Sequence, residues 1–244
     1  MKSKSDNSEH ADSTDLAVHL ESVYARRAYD SDPRYSEFSD TYLHRIHSIE
    51  IALLSALRRS DIEHRLAETR TLDFGCGNGH WMARIISWGI PQEKVFGVDI
   101  RASGVAAAHT LLPGCQIECN ASGIAPFPDK SFDLILAILV FTSIAEDTHR
   151  KQAAMELSRL LQPNGTLVVV DFAFNNPANA DVRRLTPREV QSWFPDYRVV
   201  ANRSVVLAPP IASKVAPRAR WLSALLESLP FLRTHFLMAL RKPS

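Results

Sequence analysis

Residues 72–80, Leu-Asp-Phe-Gly-Cys-Gly-Asn-Gly-His, set three glycines at alternate positions directly behind a short apolar run that contains the acid Asp73. Glycine is called for where the backbone takes left-handed angles or must lie flush against a ligand. A helix that starts just behind such a loop, here near Gly79, turns unpaired N–H groups toward whatever the loop holds. Two phosphate-binding devices are excluded by the letters. A P-loop ends in Gly-Lys-Ser/Thr, and this loop ends in Gly-Asn-Gly-His; a dinucleotide fingerprint needs a glycine where His80 stands. A carboxylate at Asp73 would repel a pyrophosphate, and it suits a ligand that carries an ammonium group. A second acid, Asp99, closes the run Val-Phe-Gly-Val-Asp. A carboxylate at the end of a second strand can take both hydroxyls of a ribose.

These residues need a scaffold that presents strand ends. Behind a helical N-terminal stretch, with Leu43, Ile46, Ile49, Leu53 and Leu57 at spacings of three and four, the rhythm changes to short apolar runs separated by helical ones. Strands are predicted at 71–74, 94–99, 115–119, 132–138, 165–172, 198–206 and 231–240, and helices at 79–88, 101–111, 147–161 and 186–194. Strands alternating with helices predict a parallel sheet covered on both faces. Residues 1–15 are polar and read as a disordered tail. The remaining 16–244 form one domain: a helical lid over 16–69, a ligand-binding core over 70–206, an insertion over 207–230 and a last strand over 231–241.

The order of these features resembles the Class I S-adenosylmethionine-dependent methyltransferases, over roughly residues 70–206. Besides the glycine loop and Asp99, "CNASGIAPFPDKSFDLIL" (119–136) resembles that family's third and fourth motifs, and "LSRLLQPNGTLVVVD" (157–171) its helix, turn and fifth strand. The resemblance implies a Rossmann-like, doubly wound seven-stranded α/β sheet with strand seven antiparallel. It implies S-adenosyl-L-methionine as cofactor, held by Asp73, Gly75, Cys76, Gly77, Asn78, Gly79, Asp99, Ile100, Asn120, Ala121 and Leu139. Asn120 stands where the family usually has Asp to bond the adenine amino group, and its amide oxygen can accept the same bond. The loop "LVFTSI" after strand four lacks the paired histidines or aromatics of relatives that methylate quinones and sterols.

Ligands in such a sheet bind outside the carboxyl ends of the parallel strands. The edge is expected to carry Asp171 and His235 as candidate bases, and Tyr35, Thr142, Asn175 and Arg233 as acceptor contacts. His235 is read either as a base or as a core histidine. The insertion is expected to wall the acceptor pocket, with Arg233 and His235 facing it. Its apolar residues Trp221, Leu222, Leu225, Leu226 and Leu229 either cap the core or rest on a membrane surface or lipid-linked substrate. From Lys214 to Ser244 six basic residues stand against the single acid Glu227. "NNPAN", "LAPP" and "LPFLRTHF" look similar to small bacterial methyltransferases found with surface-polysaccharide assembly, which would imply a sugar hydroxyl as acceptor.

Composition narrows the remaining classes. With 45% hydrophobic and 23% charged residues the chain can bury a sizeable core, and a formal charge of +1 implies no general pull toward nucleic acid. Three irregularly spaced cysteines support neither a disulfide framework nor a metal site, and point to a cytosol-like compartment. The polar start has no secretory h-region, and the run from Leu134 is too short to span a bilayer. The expected activity is methyl transfer to oxygen of a small molecule or a lipid- or nucleotide-linked sugar. A catalytically silent binding protein of the same fold, and a dinucleotide oxidoreductase, remain as alternatives.

Overall fold

A computed structural model describes residues 16–25, 36, 38–121, 124–175 and 182–244. Seven strands form one sheet in the order β3-β2-β1-β4-β5-β7-β6. They are β1 (Thr71–Phe74), β2 (Val95–Asp99), β3 (Gln116–Cys119), β4 (Phe132–Ile138), β5 (Leu161–Phe172), β6 (Arg198–Leu207) and β7 (Arg233–Arg241). The first five pair in parallel, and β7 runs antiparallel to both β5 and β6. The chain order reverses between β1 and β4, which opens a crevice at the carboxyl edge.

The strands are near-continuous apolar runs because both faces are covered. Alternate residues of β4 show this beyond the shift of register at Phe132/Leu134. Leu134, Leu136 and Ile138 join one core cluster, while Ile135 and Ala137 join the other. The first face is covered by α2 (Asp40–Arg59), α3 (His80–Ser87) and α4 (Ala102–Leu111), through Leu53, Met82 and Val105 among others. The second is covered by α5 (Asp147–Leu160) and α6 (Pro187–Trp193), through Leu157 and Val190. Residues 16–25 form a further helix, α1. Ser39 caps α2 by accepting from Tyr42 N, and Thr186 caps α6 by accepting from Glu189 N.

Two boundaries differ from the sequence expectation. The Pro-Asn-Gly stretch does not separate α5 from the fifth strand. Strand β5 starts at Leu161, directly behind α5, and carries Asn164 at φ 61° inside a shift of register against β4. The last strand starts at Arg233, because Pro230–Leu232 form a turn of 3-10 helix first. The insertion folds as α7 (Pro209–Val215) and α8 (Arg220–Glu227). Glu227 of α8 accepts from Ser48 Oγ and pairs with His44 Nε2 of α2, each at 2.7 Å. His44 therefore ties two elements together.

Candidate active site

The glycine loop leaves β1 and folds back over the end of β2. Gly75 N and Cys76 N both donate to Val98 O, at 2.8 and 3.0 Å, and Gly77 N donates to Asp99 Oδ2 at 2.8 Å. This path needs φ of +78° at Gly75, +53° at Gly77 and +82° at Gly79. A Cβ on Gly75 would also lie 2.7 Å from Val140 Cγ2, behind β4. Bareness at Gly75 thus serves the backbone angle and the packing on Val140. Asn78 Oδ1 accepts from His80 N at 3.3 Å and so helps turn the chain into α3.

Two acids flank the loop in different surroundings. Asp73 is buried, and its Oδ2 has no hydrogen-bond partner. Burial, and then the neighbouring Asp99, push its pKa up to about 7. Asp99 Oδ1 accepts from Arg101 N at 2.8 Å and lies 3.4 Å from Arg101 Nε. Burial, followed by the two acids, pushes the Cys76 thiol upward, so it stays protonated. All three cysteines are free. A buried carboxylate without a donor, set against a second carboxylate, suits a ligand with a cationic head and vicinal hydroxyls.

Arg101, and Glu21 on α1, carry no sequence signal, whereas Tyr24 belongs to the helical stretch expected to act as a lid. Glu21 accepts from Ser103 N at 2.9 Å and from Ser103 Oγ at 2.6 Å, which caps α4 from outside. The Arg101 guanidinium sits 3.8 Å from the Tyr24 ring centroid. Helix α1 is thereby held beside Asp99 and the glycine loop. Tyr29 and Tyr35 lie outside the described residues.

The remaining candidates separate into groups. Asn120 N donates to Asp99 O at 3.0 Å, and its Nδ2 donates to Ile124 O. Ile100 and Ala121 flank the same strand ends and are half-buried. Leu139 sits at φ 60°, where a branched side chain is strained, and its N donates to Val170 O at 2.8 Å. Asp171 lies at the expected edge, but it is fully buried and accepts from Thr142 N at 3.1 Å, Thr142 Oγ1, and Phe172 N at 3.0 Å. Burial raises its pKa to about 6 against these donors. Asp171 and Thr142 thus clamp the loop after β4 to β5 and present no surface to an acceptor. Asn175 Oδ1 accepts from Arg184 N at 2.8 Å.

Arg233 does not face the cleft as expected. Its guanidinium donates to Glu227 O, Ser204 O and Ser228 O, closing the end of α8 onto β6. His235 is buried on the α2 face of β7, its ring 4.0 Å from that of Phe172. Nδ1 lies 3.1 Å from Thr234 Oγ1, and Nε2 has no partner. Burial, and then Arg45, depress its pKa to about 3, so the ring is neutral.

The family described as methyltransferase domain matches residues 72–169, the span from β1 into β5. The chain is 28% identical over 212 residues to a demethylmenaquinone methyltransferase of Thermus thermophilus, covering 81% of this chain and 94% of that one. It is 23% identical over 213 residues to a tRNA (carboxymethyluridine(34)-5-O)-methyltransferase of Arabidopsis thaliana, covering 79% of this chain and 49% of that one. The chain therefore spans about half the length of that plant relative. The fold is similar to that of the PH0226 protein of Pyrococcus horikoshii, with a TM-score of 0.62, 16% identity, and coverage of 88% of this chain and 98% of that one. With a relative acting on tRNA among these, the expectation that nucleic acid is no partner finds no support.

Proposed function

We propose that the chain is an S-adenosylmethionine-dependent methyltransferase that methylates a hydroxyl oxygen of a small molecule or a sugar. The observation that carries the acceptor reading is His235, a neutral buried imidazole whose Nε2 has no partner at the carboxyl edge. With Nδ1–H given to Thr234 Oγ1, Nε2 is left as an acceptor for the hydroxyl proton.

The donor side rests on the glycine loop and the two acids. Asp73 would meet the ammonium group, Asp99 the ribose hydroxyls, and the Asn120 amide the adenine. When bound, S-adenosylmethionine supplies a methyl group already activated on a sulfonium. The chain's own work is alignment and exclusion of water. Helix α1, pinned by Glu21 and Tyr24 beside Asp99, covers the donor side. His235 Nε2 would accept a hydrogen bond from the acceptor hydroxyl and so orient its oxygen, the proton passing to solvent as the bond forms.

Calorimetry with S-adenosylmethionine, followed by a screen of acceptors with a labelled methyl group, tests the reading. His235→Ala is expected to bind the donor as wild type does and to turn over an alcohol acceptor about a hundredfold more slowly. An unchanged rate removes His235 from the reaction. Donor binding without turnover on any acceptor would favour the catalytically silent alternative. A second reading, methyl transfer to a quinone ring carbon, is favoured by coverage of 94% of the demethylmenaquinone relative. It predicts turnover with a demethylated quinol and none with alcohols.

A further inference from the structure

Helix α8 is apolar on two sides, and the fold explains only one. On the inner side Leu222 and Leu226 are half-buried, Ser223 is buried, and Glu227 is tied to His44 and Ser48 of α2. On the outer side Trp221 is 71% exposed and Leu225, one turn later, is 57% exposed. Leu229 continues the stripe, and Phe231 just beyond it is 77% exposed. A surface helix ordinarily turns polar residues outward. A contiguous apolar patch of this kind marks a surface that meets something else.

The charges beside the patch have one sign. Lys214, Arg218 and Arg220 are exposed, and the one acid between residues 207 and 232, Glu227, points inward, 2.7 Å from His44 Nε2 and accepting from Ser48 Oγ. Arg233 is occupied by backbone carbonyls. The patch also has a defined place. It joins the end of β6 to the start of β7, whose His235 is paired with Phe172 at the carboxyl end of β5. Phe174, just behind β5 on the same edge, is exposed as well.

We propose that α8 and the turn behind it rest on a lipid bilayer with anionic headgroups, holding the catalytic edge against the membrane. Trp, Phe and Leu side chains at the boundary, flanked by basic residues alone, are the chemistry of interfacial helices. A protein partner of ordinary composition would call for some exposed acid within the patch; among the described residues of 207–232 no acid is exposed, and the hydroxyl of Ser228 is turned back onto Leu225 O. No helix among the described residues is long and apolar enough to cross a membrane, so the contact is peripheral. The proposal stands on the surface of the insertion and is independent of which acceptor is methylated.

The test is co-sedimentation of the full chain with phosphatidylcholine vesicles, with and without phosphatidylglycerol, at low and high salt. Binding is expected to anionic vesicles, weakened by salt. Trp221→Ser with Leu225→Ser, and separately Lys214→Glu with Arg218→Glu and Arg220→Glu, are each expected to reduce partitioning roughly tenfold or more. Donor affinity by calorimetry reports that each variant is folded and is expected to stay unchanged. The spectrum of wild type minus Trp221→Phe isolates one indole and is expected to shift to the blue with anionic vesicles. A wild type that stays in the supernatant, or variants that bind as well as wild type, overturn the proposal. Sedimentation velocity showing dimers that the Trp221/Leu225 variant loses, with no vesicle binding, assigns the patch to a second copy and overturns it equally.

Discussion

Two buried aspartates stand at carboxyl ends of parallel strands in this sheet, Asp73 on β1 and Asp171 on β5. Burial raises both, to about 7 and about 6. Their surroundings differ. Asp171 accepts three hydrogen bonds from Thr142 and Phe172, with Arg150 adding a favourable field. Asp73 Oδ2 receives none, and its charged neighbour is another acid. Buried polar groups are ordinarily paired, so an unpaired one points to a partner from outside the chain. The contrast separates an acid that holds the fold from one that the proposed reading sets against the cationic head of a ligand.

The contrast breaks most visibly at Asp171. Asp171→Ala leaves buried N–H groups of Thr142 and Phe172 without acceptors, and is expected to cost about 3–5 kcal/mol by chemical denaturation. If the folded variant keeps its stability, the clamp is illusory. The next effect is on donor affinity against pH. Below about pH 7 Asp73 is protonated and cannot meet a cation, so affinity is expected to fall toward tenfold per pH unit. A flat profile from pH 5.5 to 8 would contradict this role. Asp99→Ala removes the acceptor of Gly77 N and Arg101 N as well as the proposed ribose contact, and a donor affinity loss of at least about tenfold is expected. Unchanged calorimetry would place the ribose elsewhere. Smallest is Arg233→Ala, expected to lower the melting temperature by roughly 2–4 °C and leave the acceptor KM untouched. A raised KM with an unchanged melt would restore Arg233 to the acceptor pocket.

Stability against pH sharpens the same contrast, because the signs differ. Asp73 and Asp171 are raised above the unfolded value of 3.8, so the stability they contribute is present at low pH and lost as pH rises toward about 7 and about 6. His235 is depressed from 6.5 to about 3, so its contribution is lost as pH falls through that window. The two partly cancel in wild type. The difference between wild type and Asp73→Asn isolates one acid.

Much of the fold was legible because it rests on local pattern. Alternating glycines after "TLDF", the acid ending "VFGVD", and apolar runs separated by helical stretches place all seven strands within a few residues. What was not legible depends on contacts distant in sequence. Nothing near Arg101 and Ser103 announces that Tyr24 will dock on the first and Glu21 on the second. Arg233 reads as a free cation at the right edge, and only the folded insertion brings three carbonyls to it. Asp171 reads as a base from its position alone, since two of its three donors come from Thr142, 29 residues away. In the sequence the bare loop reads as room for a ligand, whereas Gly75 is also required by its angle and by Val140.

The most direct test is calorimetric titration of S-adenosylmethionine into wild type and Asp73→Asn at about pH 8, with thermal melts of both proteins free of ligand. An unpaired buried carboxylate weakens the empty fold and strengthens the donor complex. The account therefore predicts that Asp73→Asn melts roughly 5 °C or more above wild type while binding the donor about a hundredfold more weakly. A variant that melts below wild type and binds S-adenosylmethionine with wild-type affinity would contradict it.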